Sequence, residues 1–575
     1  MLPALESILV LSADSGRAPA SYRRYKRWVR AVPLTVWSIV ALHTVLLFAY
    51  SVLLPTYRAP DEPQHIDVVR VIAHGHGYPD YNQQNIDPQV SASLNEVYFY
   101  RKSEHLLRAE ARPRSDRPAY EDLPRTHAPQ SNQIVQHPPL YYGVVGIGAR
   151  VIDTIMPGDP FRAFDREVGL FRFLSCLLVA PLPLMVWLVC QRLKFQRPVA
   201  IAATMIPLTV PQLQHIGSSV NNDTMFILLT SLLTLIIVRI ALGSTDRRTL
   251  LGAGAITGLA MFTKAFAFVF PLWLIAALIV GMKSNGRRFN TRTLARDTAQ
   301  LGATTFLFGA WWWLRNLIKF GEVSPSVEFA NRLNSVKPGF KPDWGYWFDE
   351  VIRRMGKNFF GDFGWFDVSI PVRIMQVGWS AIGITIVWSL LAQRHTTAQS
   401  EVSGSEVSGF AITSRPLTLL LVAPMFLLGV FVLANAARLY AHSSQPVLLQ
   451  SRYLFGGIVG LCALAAIAMT DIARRFPRVT PLLPRGTALI AIFMQVVAIR
   501  TILGYYWGSR TDGVVAQLRA VAAWSPWPPV VMLVGAVVGT SVCVWFVAAV
   551  FVGDRRRHHA SRAPSVMDVA SPGVR

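Results

Sequence analysis

Residues 32–54 read VPLTVWSIVALHTVLLFAYSVLL. No Asp, Glu, Lys or Arg interrupts the run, and at about 1.5 Å of rise per residue a helix of this length crosses the ~30 Å hydrocarbon core of a bilayer. The basic cluster Arg23, Arg24, Lys26, Arg27 and Arg30 stands before it. The run is too long for the apolar core of a signal peptide, and no small-residue cleavage site follows. It reads as an uncleaved first membrane helix behind a cytoplasmic basic tail, residues 1–31.

The rest of the chain repeats the pattern. Further apolar runs lie at about 138–156, 168–190, 198–216, 222–242, 249–264, 266–282, 299–318, 372–393, 416–437, 450–471, 485–505 and 529–552. Of the 575 residues, 52% are hydrophobic and 15% charged, against about 25% charged in soluble domains. That composition excludes a set of ordinary soluble domains and a disordered chain. The net charge of +23 would suggest nucleic acid in a soluble protein. Here the basic residues sit mainly in short connectors, as the positive-inside rule expects, so no nucleic-acid partner is predicted. Cys176, Cys190, Cys462 and Cys543 lie in or beside apolar runs and form no disulfide framework.

Connectors 191–197, 243–248, 283–298 and 472–484 and the C-terminus after 552 are basic and are placed in the cytoplasm. Only one crossing then fits between the outer segment 55–136 and connector 191–197. The run 138–156, which starts Pro138-Pro139, contains Arg150 and is short, is the one read as a partial, re-entrant or interfacial helix. The expected architecture is an all-α polytopic membrane protein of 12 crossings, or 13 if 138–156 spans. Its membrane domain is 32–552, with long outer loops 55–136 (partly helical) and 319–371. The Ser/Gly-rich stretch 397–414 reads as a flexible cytoplasmic linker, and 553–575 as a disordered tail.

Six segments carry candidate chemistry. Ala59-Pro60-Asp61-Glu62-Pro63-Gln64-His65 puts two carboxylates and an imidazole in a proline-stiffened turn just outside the first helix. A carboxylate there can deprotonate a hydroxyl or bind a divalent cation, or it can cap the helix that Pro63 begins. Gln136-His137-Pro138-Pro139-Leu140-Tyr141-Tyr142 closes the same loop with a histidine and two tyrosines, otherwise an aromatic belt. Asp223 follows Asn221-Asn222 in a short outer turn, where N-capping is the plain alternative. Lys264 interrupts an apolar hairpin; a charge there is a functional candidate or a snorkelling side chain. Trp311-Trp312-Trp313 leads to Arg315 and Asn316, an interfacial anchor first, and the Gly/aromatic segment 358–368 carries Asp362, Trp365 and Asp367, whose rings and acids suit a sugar or a membrane-lying loop. Arg452 begins a helix, where a guanidinium can fork onto a phosphate or snorkel to the interface. In the expected topology Asp61, His137, Asp223, Lys264, Asp362 and Arg452 share the outer side.

As an ordered set, the PDEP-H, HPPLYY, NND, TK, FGWFD and Q-x-RYLF elements between about residues 32 and 470 resemble a family of bacterial polytopic membrane proteins of unassigned function. That family is grouped with the GT-C superfamily of lipid-linked-sugar glycosyltransferases. More distant relatives are the protein O-mannosyltransferases, the aminoarabinose transferases and the oligosaccharyltransferase catalytic subunit. The resemblance implies a GT-C-like bundle; only some members carry a soluble outer domain, and none is read in this sequence. It implies that Asp61, with Glu62 beside it, is the catalytic or metal-linked carboxylate, and that Asp223 is the further acid of an outer turn. Arg452 would hold the donor phosphate. His137 matches a basic position of the relatives, but histidine is a weaker cation at neutral pH. His65, Tyr141, Lys264, Arg315, Asp362, Trp365 and Asp367 are the remaining candidate donor- or substrate-binding residues. Asp61 and Asp223 are the candidate ligands of a divalent cation, Mg or Mn, the one cofactor this reading admits.

The function expected is transfer of a sugar from a polyprenyl-phosphate donor to a glycan, lipid or protein acceptor, with inversion. It would take place at the outer face of a multi-pass plasma-membrane protein whose termini are cytoplasmic. A phosphate-cradling glycine-rich loop is not found, and a lipid-linked donor needs none. Two alternatives belong to other classes. A transporter or flippase would show inverted repeats and midplane charges, and a non-catalytic envelope scaffold would tolerate loss of Asp61.

Overall fold

The computed structural model describes residues 32–81, 83–97, 99, 114–125, 130–156, 162–284, 290–326, 336, 339–400, 414–508 and 511–552. The basic tail 1–31, most of the linker 397–414 and the tail 553–575 lie outside them. Among the described residues, nine helices are long and apolar enough to cross a membrane. The first is α1, Leu34–Leu53, which Pro33 opens. In the long loop after α1, α2 (Glu62–Ala73) is followed by a helix at Pro88–Glu96 and by short 3-10 turns, so this loop is partly helical as expected. Helix α3, Leu140–Ile155, has 16 residues. That is about 24 Å of rise, short of a bilayer core.

Spans α4 (Phe164–Arg192), α5 (Asp223–Ala241) and α6 (Ala265–Lys283) come next. The amphipathic helix α7 (Trp344–Asn358) precedes a hairpin in which Asp362 pairs with Ser369 and Phe363 with Val368. Spans α8 (Val372–Ala392), α9 (Arg415–Ser443), α10 (Ser451–Arg475), α11 (Pro477–Tyr506) and α12 (Pro529–Val552) complete the bundle.

Three of the twelve expected crossings take other forms. Run 198–216 is a broken pair, Arg197–Thr209 and Pro211–Gly217, bent by 66°. The break falls at Pro211, where a missing N–H and a fixed φ end helix continuity. Run 249–264 is a helix of 15 residues, Arg247–Met261. Run 299–318 is interrupted by a π turn at Phe306–Ala310, with Gly309 at φ 166°. Helix α8 continues through Ser400 into the stretch read as a linker.

Burial orders the layers. In α10 89% of the apolar stretch is buried, in α12 only 6%. Helix α10 is therefore the hub, packed on α4, α8, α9 and the broken pair, while α12 leans on α1 and turns Val530, Leu533 and Val537 outward. In a bilayer such a face is solvated by lipid and needs no partner. Gly460 shows how close the central helices come. A Cβ there would collide with the backbone carbonyl of Leu421 on α9, so only glycine permits this backbone-to-backbone contact.

Candidate active site

The site begins where α1 ends. Arg172 of α4 donates to the carbonyls of Ser51, Leu54 and Pro55, which the end of α1 leaves without helical partners. The same guanidinium forks onto Glu62, Nε to Oε1 at 2.8 Å and Nη2 to Oε2 at 2.6 Å, and Val220 N adds a third donor at 3.1 Å. Glu62 is 0% exposed. This buried pair clamps the turn between α1 and α2.

Asp61 is the hinge of that turn. Its φ is +61°, a left-handed conformation that aspartate tolerates better than most residues and that is often kept where function requires it. The twist separates the two neighbouring carboxylates. Glu62 points into the protein, and Asp61 points into a cavity of about 830 Å³.

Across the cavity wall from Asp61 lies Arg452, at the start of α10. Its Nη2 meets Asp61 Oδ2 at 3.0 Å, its Nη1 reaches the Pro60 carbonyl at 3.5 Å, and its Nε stands 3.6 Å from Asp223 Oδ2. Asp223 is held in the first turn of α5 by its neighbour: Asn221 Oδ1 accepts from the Asp223 backbone N–H at 2.9 Å. The Asp223 carboxylate is not spent on capping. Its other oxygen accepts from Lys264 Nζ at 2.5 Å. Lys264 lies in the break before α6, between the rings of Phe266 and Tyr453, at 4.9 and 4.8 Å from their centroids. Asp61, Arg452, Asp223 and Lys264 thus form one chain of alternating charge, and three of the four are buried, Asp61 less so. Burial pulls the Lys264 ammonium below its ordinary range and Arg452 adds to the fall, while Asp223 opposes it.

His65 follows Asp61 by one helical turn. Its Nδ1 is 2.9 Å from Tyr142 Oη, and its ring stacks on His137 at 6.5 Å between centroids. Burial, first, and then Lys264 and Arg452 hold His137 down to about 3. Burial, then His137, holds His65 well below its ordinary range. Both rings are neutral at pH 7, so His137 can shape the cavity and hydrogen-bond there but cannot supply the positive charge of the residue it matches in the resemblance. In the same cavity Asp362 accepts from Ser369 Oγ at 2.7 Å, and burial raises its carboxyl. Trp365 is at the tip of the same hairpin, where Gly364 takes a φ of +71°.

Eight predicted residues line one cavity: Asp61, His65, His137, Asp223, Lys264, Asp362, Trp365 and Arg452. Four do not. Glu62 is sealed by Arg172. The Tyr141 hydroxyl pairs with Ser175 Oγ at 2.8 Å. Arg315 and Lys319 grip Asp80 at 2.5 and 2.6 Å, pinning the loop after α1 to a neighbouring helix. Asp367 accepts from Tyr506 Oη at 2.7 Å and braces the hairpin. The carboxylate pair expected of Asp61 and Glu62 is therefore two separate acids with different partners. No group of three or more His, Cys, Asp or Glu suited to a metal occurs among the described residues. Asp61 and Asp223 have a guanidinium between them, so this donor set does not fit a divalent cation.

Residues 42–461 match the family described as predicted membrane protein (DUF2142). This chain belongs to that family. The DUF2142 match begins within α1 and ends within α10, so it encloses every member of the charge chain. No curated protein matches the chain. Among solved structures, ArnT from Cupriavidus metallidurans bound to undecaprenyl phosphate is 14% identical, covering 93% of this chain and 80% of that one, with a TM-score of 0.41. The apo oligosaccharyltransferase from Archaeoglobus fulgidus is 12% identical, covering 86% and 56%, with a TM-score of 0.39. Similarity at this level aligns no site, so the functional reading of this DUF2142 chain rests on its own residues.

The cavity also contains side chains the sequence reading passed over: Arg353, Arg354 and Lys357 of α7, Arg438 of α9, and Tyr453 beside Arg452. The α7 trio was legible as Arg-Arg-x-x-Lys, an i, i+1, i+4 spacing that shares one helix face. Reading 319–371 as a loop hides this face, since the spacing matters only on a helix.

Proposed function

We propose that this protein is a membrane glycosyltransferase that moves a sugar from a polyprenyl-phosphate donor to a hydroxyl acceptor at the outer face of the plasma membrane. The observation that carries the reading is the largely buried Asp61–Arg452–Asp223–Lys264 chain on the wall of a large cavity, at the ends of membrane spans. A lipid anchored in the bilayer presents its phosphate at that height.

In the step proposed, the acceptor oxygen attacks the anomeric carbon and its proton passes to Asp61. The new C–O bond forms as the bond from the anomeric carbon to the phosphate oxygen breaks, and that electron pair leaves on the phosphate. Arg452 and Lys264 face the developing charge, and their fixed positions stabilise it without reorganisation. Asp223 acts by positioning both cations. A single displacement inverts the anomeric centre. Trp365 and Phe366 supply ring faces for the sugar. In this reading the guanidinium and ammonium fill the role expected of Mg or Mn.

The test is glycan and lipid-linked intermediate analysis of a deletion strain complemented with the wild type or with Asp61→Asn. The variant is expected to reach the membrane, to accumulate the lipid-linked donor and to restore no product. Full product from Asp61→Asn sinks the enzyme reading, and solute flux in proteoliposomes would put a transporter in its place.

A further inference from the structure

The cavity is charged unevenly. At its Asp61 end two carboxylates face two cations, and the cluster is neutral. At the α7 end, Arg353 and Arg354 share a single carboxylate, Glu350, at 2.7 and 2.6 Å. Lys357, one turn further, projects from the same face, with Asp362 as the acid it acts on. Arg438 adds another cation and Glu322 another acid to the lining, so away from the Asp61 cluster Arg353, Arg354, Lys357 and Arg438 stand against Glu350, Asp362 and Glu322. Cations are therefore in surplus on this wall and not at the other.

The two ends are mechanically joined. Ser451 Oγ, next to Arg452, donates to the Met355 carbonyl of α7 at 2.5 Å, and Arg354 Nη1 donates to the Pro446 carbonyl at 2.8 Å. The basic face of α7 is thus held beside the start of α10. Its opposite face exposes Trp344, Phe348 and Ile352, a set suited to the membrane interface. A helix lying in that plane, apolar outward and basic toward the cavity, offers its cations to an anion arriving at the membrane surface.

We propose that the cavity seats two anions at once, and that the second belongs to the acceptor: a phosphate or carboxylate held by Arg353, Arg354 and Lys357. This rests on the glycosyl-transfer reading for the word acceptor, and on α7 alone for the second seat. A donor phosphate at Arg452 gives the neutral cluster one negative charge. The surplus on α7 then answers a further negative charge, which a neutral sugar hydroxyl does not carry.

The test uses the full chain in nanodiscs of phosphatidylcholine, with bound anions counted by native mass spectrometry. Geranylgeranyl phosphate is the probe for the first seat. With it saturating, short-chain phosphatidic acid and inorganic phosphate probe the second, as lipid-borne and free sources of the same chemistry. The wild type is expected to bind one further anion. Arg353→Gln with Lys357→Gln is expected to weaken that second binding tenfold or more and to leave the first within threefold. The charge-keeping pair Arg353→Lys with Lys357→Arg is expected to restore it, which separates loss of the seat from loss of the fold. Binding of phosphatidic acid alone assigns the seat to a lipid; binding of inorganic phosphate assigns it to a soluble anion. A single anion per chain with every probe overturns the proposal, as does a second binding indifferent to the α7 variants. Two anions bound by a chain whose Asp61→Asn variant still yields full product would leave the seat standing and remove the transfer reading.

Discussion

Replacing Arg452 by Gln isolates the residue that joins the two acids. The structure separates its effect on stability from its effect on chemistry. Loss of one partner of a buried pair costs about 3–5 kcal/mol when the remaining charge is stranded. Here neither acid is stranded. Asp223 keeps Lys264 at 2.5 Å, and the Asp61 side chain is 23% exposed, enough for water to reach it. The stability cost should therefore fall to about 1–3 kcal/mol, the range for one unsatisfied polar group.

The chemical cost should be larger in effect. A preorganised donor aimed at developing charge contributes about 10²–10³ in rate, and Arg452 has the fork geometry that a phosphate needs. Arg452→Lys keeps the charge without the fork and should fall between. The assay is transfer from a polyprenyl-phosphate sugar in proteoliposomes, with thermal unfolding followed in the same preparation. A folded Arg452→Gln protein turning over within threefold of the wild type, while Asp61→Asn is inactive, refutes the role of the guanidinium.

Glu62→Gln should act on folding and not on chemistry: it breaks the fully buried fork with Arg172, at a cost of about 3–5 kcal/mol. The measurement is yield and thermal midpoint, and a stable but inactive variant would return Glu62 to the catalytic list. Acid should destabilise the protein through the histidine stack. His137 sits near 3 against its ordinary 6.5, so below pH 6.5 the unfolded chain binds a proton that the folded ring refuses. His137 alone removes about 1.4 kcal/mol per pH unit as the pH falls from 6.5 toward 3, and His65, also held down by burial, acts in the same direction. Gln at both 65 and 137 should flatten this limb of a stability-versus-pH curve, and an unchanged slope would contradict it. Chelation with EDTA should leave transfer intact, because Arg452 occupies the space between Asp61 and Asp223; activity lost with EDTA and restored by Mg or Mn would overturn that assignment.

The sequence by itself determined the membrane-spanning helices, because length and apolarity are local properties that each run carries on its own. It also marked Asp61, Asp223, Lys264 and Arg452, since a charge beside an apolar run is conspicuous without knowledge of its partner. The number of full crossings was less legible. Pro211 bends one run and a π turn at Phe306–Ala310 interrupts another, and both are backbone events that hydropathy does not record. What only the tertiary structure decided is which charges meet. Asp61 and Glu62 are neighbours in the chain, yet a left-handed turn and the reach of Arg172 from α4 send them to opposite sides. Asp61 and Arg452, separated by most of the chain, are brought together by the packing of α10 at the centre of the bundle. An ion pair depends on distances of a few ångströms, and in a helical bundle those are set by how the helices pack and not by their order in the sequence.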